Sequence, residues 1–396
     1  MAFTEKTTIG FGEILSLSVG GIVTGFIMFI IGTVLLFWNE GCYVKTQATL
    51  QEAEGNVVRV EDVSNVDPGL NGKLIHASAF ADTKDVLTDE LFGVSETAIA
   101  IDRNVEYYQY EERASTKTKD KIGGGQEQVT TYTYDKRWVS KPVNSADFKD
   151  ADYTSSNFVL AQVEEKTERA KNVTFGAYKL PPFIISSISG NTPAEIKLSP
   201  ADLQKWEKVI AANVKGGTAS PAVHVNGNVV YFGKSDSNPG IGDVRITLTK
   251  ILPADISIIA KVNGSTFEQY ITKNGKSFSK FSMGNVSPEN MFAAAHSSNS
   301  TSTWIFRFIG VFLVIGGLRA MFGMLIAIFR ILPFVGDIVN AGVGLICAVV
   351  GFAWSLLIIS IAWLFYRPLI GILLLAVAVG GIWYLKQRGK KPSPAA

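Results

Sequence analysis

ILSLSVGGIVTGFIMFIIGTVLLFW, Ile14 to Trp38, runs for 25 residues without a charge. At about 1.5 Å of rise per residue, some 20 apolar residues suffice to carry a helix across the hydrocarbon core of a bilayer. The stretch therefore reads as a membrane-spanning helix. It far exceeds the roughly 7–15 residues of a signal-peptide core, and no small-residue cleavage site follows it. A retained anchor is expected, with residues 1–13 before it on the cytoplasmic side. Gly21-Ile-Val-Thr-Gly25 has the GxxxG spacing that lets two helix backbones approach closely, although incidental glycines are common in membrane helices.

The opposite end repeats the pattern. The 93 residues from Trp304 are apolar almost throughout and separate into three stretches. Residues 304–330 form a helix that is transmembrane or partly interfacial, residues 331–337 a short loop, and 338–365 a second span. Arg367-Pro368 opens a third, 366–385, and the basic tail 386–396 begins with Lys386 and Arg388. Positive charge flanking a span favours the cytoplasm, so the tail orients the chain. Four spans return the N-terminus to the same side and leave the middle of the chain extracytoplasmic. Arg319 is the weak link: in a helix from Phe308 to Phe329 it falls near mid-membrane, where a charge needs protein or water beside it. Either the helix packs within a bundle or oligomer, or it lies in the interface and leaves three spans.

Between the two ends, Asn39–Thr303 is too polar for lipid. Its 28 Lys and Arg stand against 32 Asp and Glu, with no basic stripe to neutralise phosphates, so nucleic acid is excluded as a partner. Cys42 and Cys347 cannot staple this region, whose 265 residues are enough to bury a core. Asn71-Gly72, Asn226-Gly227, Asn263-Gly264 and Asn274-Gly275 suit the paired positive-φ positions of type I′ hairpin turns. Ile256, Ile258, Ala260 and Val262 alternate before Asn263-Gly264, with Phe267, Gln269 and Ile271 after it. Val105–Tyr110 and Tyr132–Trp138 read as a longer hairpin, with Tyr132, Tyr134 and Trp138 on one face. The charged, glycine-ended stretch Glu112–Gln128 between them reads as a mobile loop. Ser199-Pro200-Ala201-Asp202 is a helix start, with Leu203, Trp206 and Ile210 on one face and Gly216-Gly217 as the stop. A shorter helix, Met291–His296, leads into a linker, Ser297–Thr303. The fold class expected is an α-helical multi-pass membrane protein of about four spans, with a large β-rich, mostly antiparallel α+β extracytoplasmic domain over residues 39–303.

Site chemistry is sparse. His76, His224 and His296 are scattered without metal-ligand spacing, and no nucleophile elbow or phosphate loop occurs. Asp62/Asp67 and Glu111/Glu112 are acid pairs of a kind common on exposed surfaces. Neither an enzyme nor a cofactor is expected.

Several segments together resemble the LUMA family, also called the transmembrane protein 43 family. They are Glu54–Phe80, Arg103–Glu112 (with Tyr110 where the family has Trp), Tyr132–Phe148, Tyr231–Leu248 with its Pro-x-x-Gly-Asp-x-Arg strand, and Trp363–Leu374. The resemblance covers nearly the whole chain in order. It implies four spans, cytoplasmic or nucleoplasmic termini and a luminal domain. In animals it implies the endoplasmic reticulum and inner nuclear membrane, homo-oligomers, and scaffolding beside other membrane proteins of the envelope. In a bacterium the domain would be periplasmic. It brings no catalytic residues. The function expected is a non-enzymatic scaffold that oligomerises through its spans, and the alternative is an ion channel or transporter component.

Overall fold

No proline interrupts the chain after Trp38, and Lys45–Glu54 is rich in helix-forming residues. Helix α1 therefore does not stop where the apolar run ends but continues from Phe11 to Asn56, 46 residues. That is about 69 Å, more than twice the hydrocarbon thickness of a bilayer. The computed structural model describes residues 3–214 and 222–368. Further helices are α2 (Pro182–Ile185), α3 (Pro200–Asn213), α4 (Pro288–Met321), α5 (Gly323–Phe329) and α6 (Pro333–Tyr366). Two readings are corrected by α4. Met291–His296 is its first part rather than a separate short helix, and Ser297–Thr303 lies inside it rather than forming a linker. The helix expected to run from Phe308 to Phe329 ends at Met321, and α5 continues after a one-residue break.

The chain divides into two compact units: a β-rich one built mainly from Ala53–Lys117 and Val129–Met291, and a helical one from Thr7–Glu52, Thr118–Gln128 and the chain from Phe292. Among the described residues the strands form two large sheets. One has the order Phe3–Ile9, Gln126–Val139, Ala100–Asp120, Val244–Ile251, Val229–Gly233, Ala222–Asn226. In the other, Ala254–Asn263 pairs with Leu74–Thr83 and, through three shorter strands, closes a ring with it. Most pairings are antiparallel; Val58–Val60 with Leu74–Thr83 and Tyr178–Lys179 with Thr266–Glu268 are parallel. Each sheet covers its own core, one around Ile75, Phe175, Tyr178 and Ile258, the other around Phe92, Trp206, Phe232 and Ile246.

Ile256, Ile258, Ala260 and Val262 are all buried, but so are Ser257 and Ile259 between them, so this strand is covered on both faces rather than one. Beyond Glu268 the strand breaks, and Ile271 instead pairs with Ser277 and is exposed. The long hairpin exists, but the stretch read as a mobile loop is mostly strand, since one arm runs to Asp120 and the other starts at Gln126. Of the four asparagine-glycine pairs, Asn71 ends a single helical turn, Pro68–Leu70, Asn274-Gly275 lies in the five-residue loop between Ile271 and Ser277, and the other two form turns shifted by one residue. Asn226 pairs with Val229 and Asn263 with Thr266, so the two-residue loops are Gly227-Asn228 and Gly264-Ser265. Only the glycine takes positive φ, +59° and +58°, which is a type II′ turn rather than type I′. Helix α3 starts as read, with Ser199 and Asp202 forming a reciprocal capping box and Trp206 and Ile210 buried. Its expected stop, Gly216-Gly217, lies outside the described residues.

Among the described residues of the helical unit three helices, α1, α4 and α6, are long and apolar enough to cross a membrane. Apart from residues 366–368, the expected last span 366–385 lies outside the described residues, as do Lys386 and Arg388.

Candidate functional site: a glycine-packed helical bundle with buried charges

Small residues decide how closely the helices approach. A Cβ at position 25 would lie 2.7 Å from the Gly317 carbonyl oxygen, and one at 317 would lie 2.6 Å from the Gly25 oxygen. One helical stretch further on, a Cβ at Gly32 would meet Val314 N at 2.9 Å, and one at Gly310 would meet Leu36 at 2.6 Å. Helices α1 and α4 are thus antiparallel, with backbones touching at two levels seven residues apart on each helix. Gly25 is spent on this contact inside the chain, whereas Gly21 has looser surroundings, with Ala320 O at 3.7 Å. Helix α6 runs parallel to α1: Trp354 Nε1 donates to Thr33 Oγ1 at 3.0 Å, and Tyr366 leaves no room for a side chain at Gly41.

A charged clasp closes one end of the bundle. Glu40 on α1 is 1 % exposed and accepts two hydrogen bonds from Arg307 on α4, at 2.6 and 2.8 Å. Trp363 on α6 donates to the same carboxylate at 2.8 Å. One acid therefore holds all three long helices. The Arg307 guanidinium stacks over Trp304 at 4.8 Å, and Asn39 Nδ2 donates to the Thr303 carbonyl at 3.1 Å. Arg367, just past the end of α6, lies over the Tyr43 ring at 4.8 Å and over Trp363 at 5.8 Å. It thus packs an aromatic seam, with Pro368 following exposed. Sequence reading singled out Arg367 and missed Glu40 and Arg307. The signal was available: each is the charge nearest the edge of an apolar run, at facing ends of two helices joined antiparallel.

Arg319 lies in the last turn of α4, not at mid-helix, and donates to Asn340 Oδ1 on α6 at 2.9 Å. It is exposed, and among the described residues no acid pairs with it. Nearby, Arg330 reaches Asp120 at 3.5 Å, and Gly123 N donates to the Ile331 carbonyl at 3.1 Å.

The acid pairs singled out in the sequence are engaged in the architecture of the β-rich unit. Asp62 and Asp67 cap turns through Ser64 N and Gly69 N, each at 2.8 Å. Glu111 pairs with Arg113 and Arg137, while Glu112 accepts from Tyr134 and from Lys149 N. In Asp243-Val-Arg245, Asp243 accepts from the Tyr231 hydroxyl and from Gly240 N. Burial pushes both the Asp243 carboxyl and the Tyr231 phenol up from their ordinary values. Gly233 makes space for that carboxyl, since a Cβ there would sit 2.5 Å from it. Arg245 pairs with Glu106 at 2.7 Å and lies over Trp138 at 4.4 Å. Among the described residues, no group of three or more His, Cys, Asp or Glu is placed to hold a metal ion.

The family described as Transmembrane protein 43 matches residues 107–368. Transmembrane protein 43 of Mus musculus is 30 % identical over 380 residues, covering 92 % of this chain and 89 % of its own. The Homo sapiens protein is 28 % identical over 393 residues, covering 96 % and 92 %. The Drosophila melanogaster homolog is 25 % identical over 369 residues, covering 91 % and 93 %. No solved structure matches. With two-thirds of its length matched by the family and nine-tenths aligned to the mouse protein, this membrane protein belongs to the transmembrane protein 43, or LUMA, family.

Proposed function

We propose that the chain is a non-enzymatic membrane scaffold whose spans assemble with further copies and which presents the β-rich unit, in the lumen of the endoplasmic reticulum or inner nuclear membrane, to other membrane proteins. The observation that carries this reading is the way Glu40 ties Arg307 and Trp363 to α1. With glycine contacts along the same helices, that makes a stiff bundle, suited to holding a surface rather than to opening a path. The animal origin of the relatives favours the endomembrane setting over a bacterial inner membrane. Because Gly25 is occupied within the chain, self-assembly would use the outward apolar face of α1, where Val23, Ile27, Ile30 and Val34 are 44–59 % exposed. Light scattering of the detergent-purified chain tests this. An oligomer that Val23→Asn/Ile30→Asn disperses supports the scaffold, and a monodisperse monomer would overturn it.

The channel reading draws on one feature, the exposed Arg319 beside Asn340. Purified protein in liposomes decides between them. The scaffold gives no ion current above empty vesicles, whereas a robust current lost in Arg319→Leu would replace the scaffold with a channel.

A further inference from the structure

A cleft of about 450 Å³ opens in the helical unit between the start of α1, the end of α4, α5 and the start of α6. Its polar lining is Arg319, Arg330, Asn340 and Ser18, and its apolar wall includes Ile14 and Ile326. The two guanidiniums are under-used. Arg319 donates to a neutral amide, and the Arg330 Nε is buried without a hydrogen-bond partner among the described residues, its acid neighbour Asp120 standing off at 3.5 Å. Ser18 spends its hydroxyl proton on the Ile14 carbonyl at 2.7 Å. Two cations therefore face one space in which, among the described residues, Arg319 has no acid partner and Arg330 has only Asp120 at 3.5 Å. A charge without an acid partner among apolar helices, as at Arg319, is costly, and guanidiniums bind phosphate oxygens through paired, charge-assisted hydrogen bonds.

We propose that this cleft binds the phosphate headgroup of an anionic phospholipid, with Arg319 and Arg330 on the phosphate and an acyl chain along Ile14 and Ile326. The apolar wall selects a lipid over a free anion. A water-soluble phosphate would leave that wall bare, whereas an acyl chain covers it and removes apolar surface from water. Basic pockets between membrane helices recognise headgroups on this same ground. The site is independent of the scaffold reading, since a channel or a scaffold would hold such a lipid equally.

The test is native mass spectrometry of the delipidated full-length protein with phosphatidic acid, phosphatidylserine or phosphatidylcholine added at equal concentration. The anionic lipids should be retained over phosphatidylcholine by about tenfold or more, the scale set by two arginines facing one headgroup. Arg319→Gln/Arg330→Gln should abolish that preference, and Arg319→Lys/Arg330→Lys should keep most of it. Ser18→Trp fills the cleft while leaving both arginines in place and should cause the same loss, which covers the case of a glutamine variant that does not fold. Equal retention of all three lipids would overturn the proposal, as would undiminished preference in Ser18→Trp. Excess inorganic phosphate should leave the lipid adducts intact, and full displacement by phosphate would make the site one for free anions and overturn the lipid assignment.

Discussion

His76 sits 5 % exposed in the β-rich unit with Nε2 2.8 Å from the Val286 carbonyl, so Nε2 carries the proton, and Nδ1 is buried without a partner. Protonating Nδ1 would create a buried, unpaired N–H, and burial accordingly holds the imidazole below its ordinary value, with Arg59 adding to the effect. Unfolded, the same ring takes up a proton near pH 6.5. The unfolded state then binds more protons, so stability is fully present above that pH and declines as pH falls from it toward the depressed folded value. The slope cannot exceed about 1.4 kcal/mol per pH unit for one group. Melting of the full-length protein at pH 7.5 and 5.5 should show the decline, and His76→Gln should flatten it; an unchanged slope would mean that other groups cause it. Turn residues give a sharper contrast. Gly264 at φ +58° is the position that needs glycine, so Gly264→Val should cost about 1–3 kcal/mol. Asn263 is an ordinary strand end, exposed and donating to Glu268 at 3.2 Å; Asn263→Ala should stay within about 0.5 kcal/mol. Equal losses at both would restore the type I′ reading. The sequence pattern located the turn because glycine is nearly obligatory at positive φ, but it could not place the phase, since asparagine before glycine serves both turn types.

Elements were legible where their own residues decide them. Ser199, Pro200 and Asp202 specify the start of α3 without help from elsewhere. Ser297–Thr303 misled because its composition favours a linker, and what makes it helical is the partner helix. Asn299 Nδ2 donates to the Tyr43 carbonyl at 3.3 Å and Thr303 Oγ1 back to the Asn299 carbonyl at 2.8 Å, so tertiary contact overrides propensity. The Glu40 clasp was invisible for the same reason, as its members stand 267 and 323 residues from Glu40 in the chain. Removing one member of a buried ion pair strands the other charge, at about 3–5 kcal/mol. Glu40→Ala should therefore lower the melting temperature of the detergent-purified protein sharply. Glu40→Ala/Arg307→Ala should recover part of that loss, because the double change leaves no orphaned cation. Strictly additive losses would show that the pair is not coupled. Gly25→Leu overpacks the α1–α4 contact, where the nearest Gly317 atom would be 2.7 Å from the new Cβ. At about 1–3 kcal/mol or more, it should disrupt the bundle more than Gly21→Leu does.

For the whole molecule, the question is which groups share a compartment. From Gly21 against Ala320 to Glu40 against Arg307, α4 stays beside α1 for about 28 Å at helical rise, close to the thickness of the hydrocarbon core. If α1 crosses a bilayer, α4 crosses with it, and an interfacial α4 would have to give up both glycine contacts and the clasp. The contact of Gly123 with Ile331 and that of Asp120 with Arg330 pull the other way. They place the hairpin tip Thr118–Gln128, with exposed Lys119 and Lys121, at the end where α1 begins. A net hydrogen bond contributes about 0.5–1.5 kcal/mol and a partly exposed ion pair about 1 kcal/mol at most. A tip on the other side of the bilayer from the start of α1, as the proposed topology requires, would have to give up these contacts together with the pairing of Phe3–Ile9 with Gln126–Val139, so labelling of the tip tests that topology. In sealed vesicles with the lumenal side outward, an impermeant maleimide should label Lys119→Cys and not Glu13→Cys in a background lacking Cys42 and Cys347. Labelling of both alike would keep the tip beside the start of α1 and remove the bilayer from around the bundle.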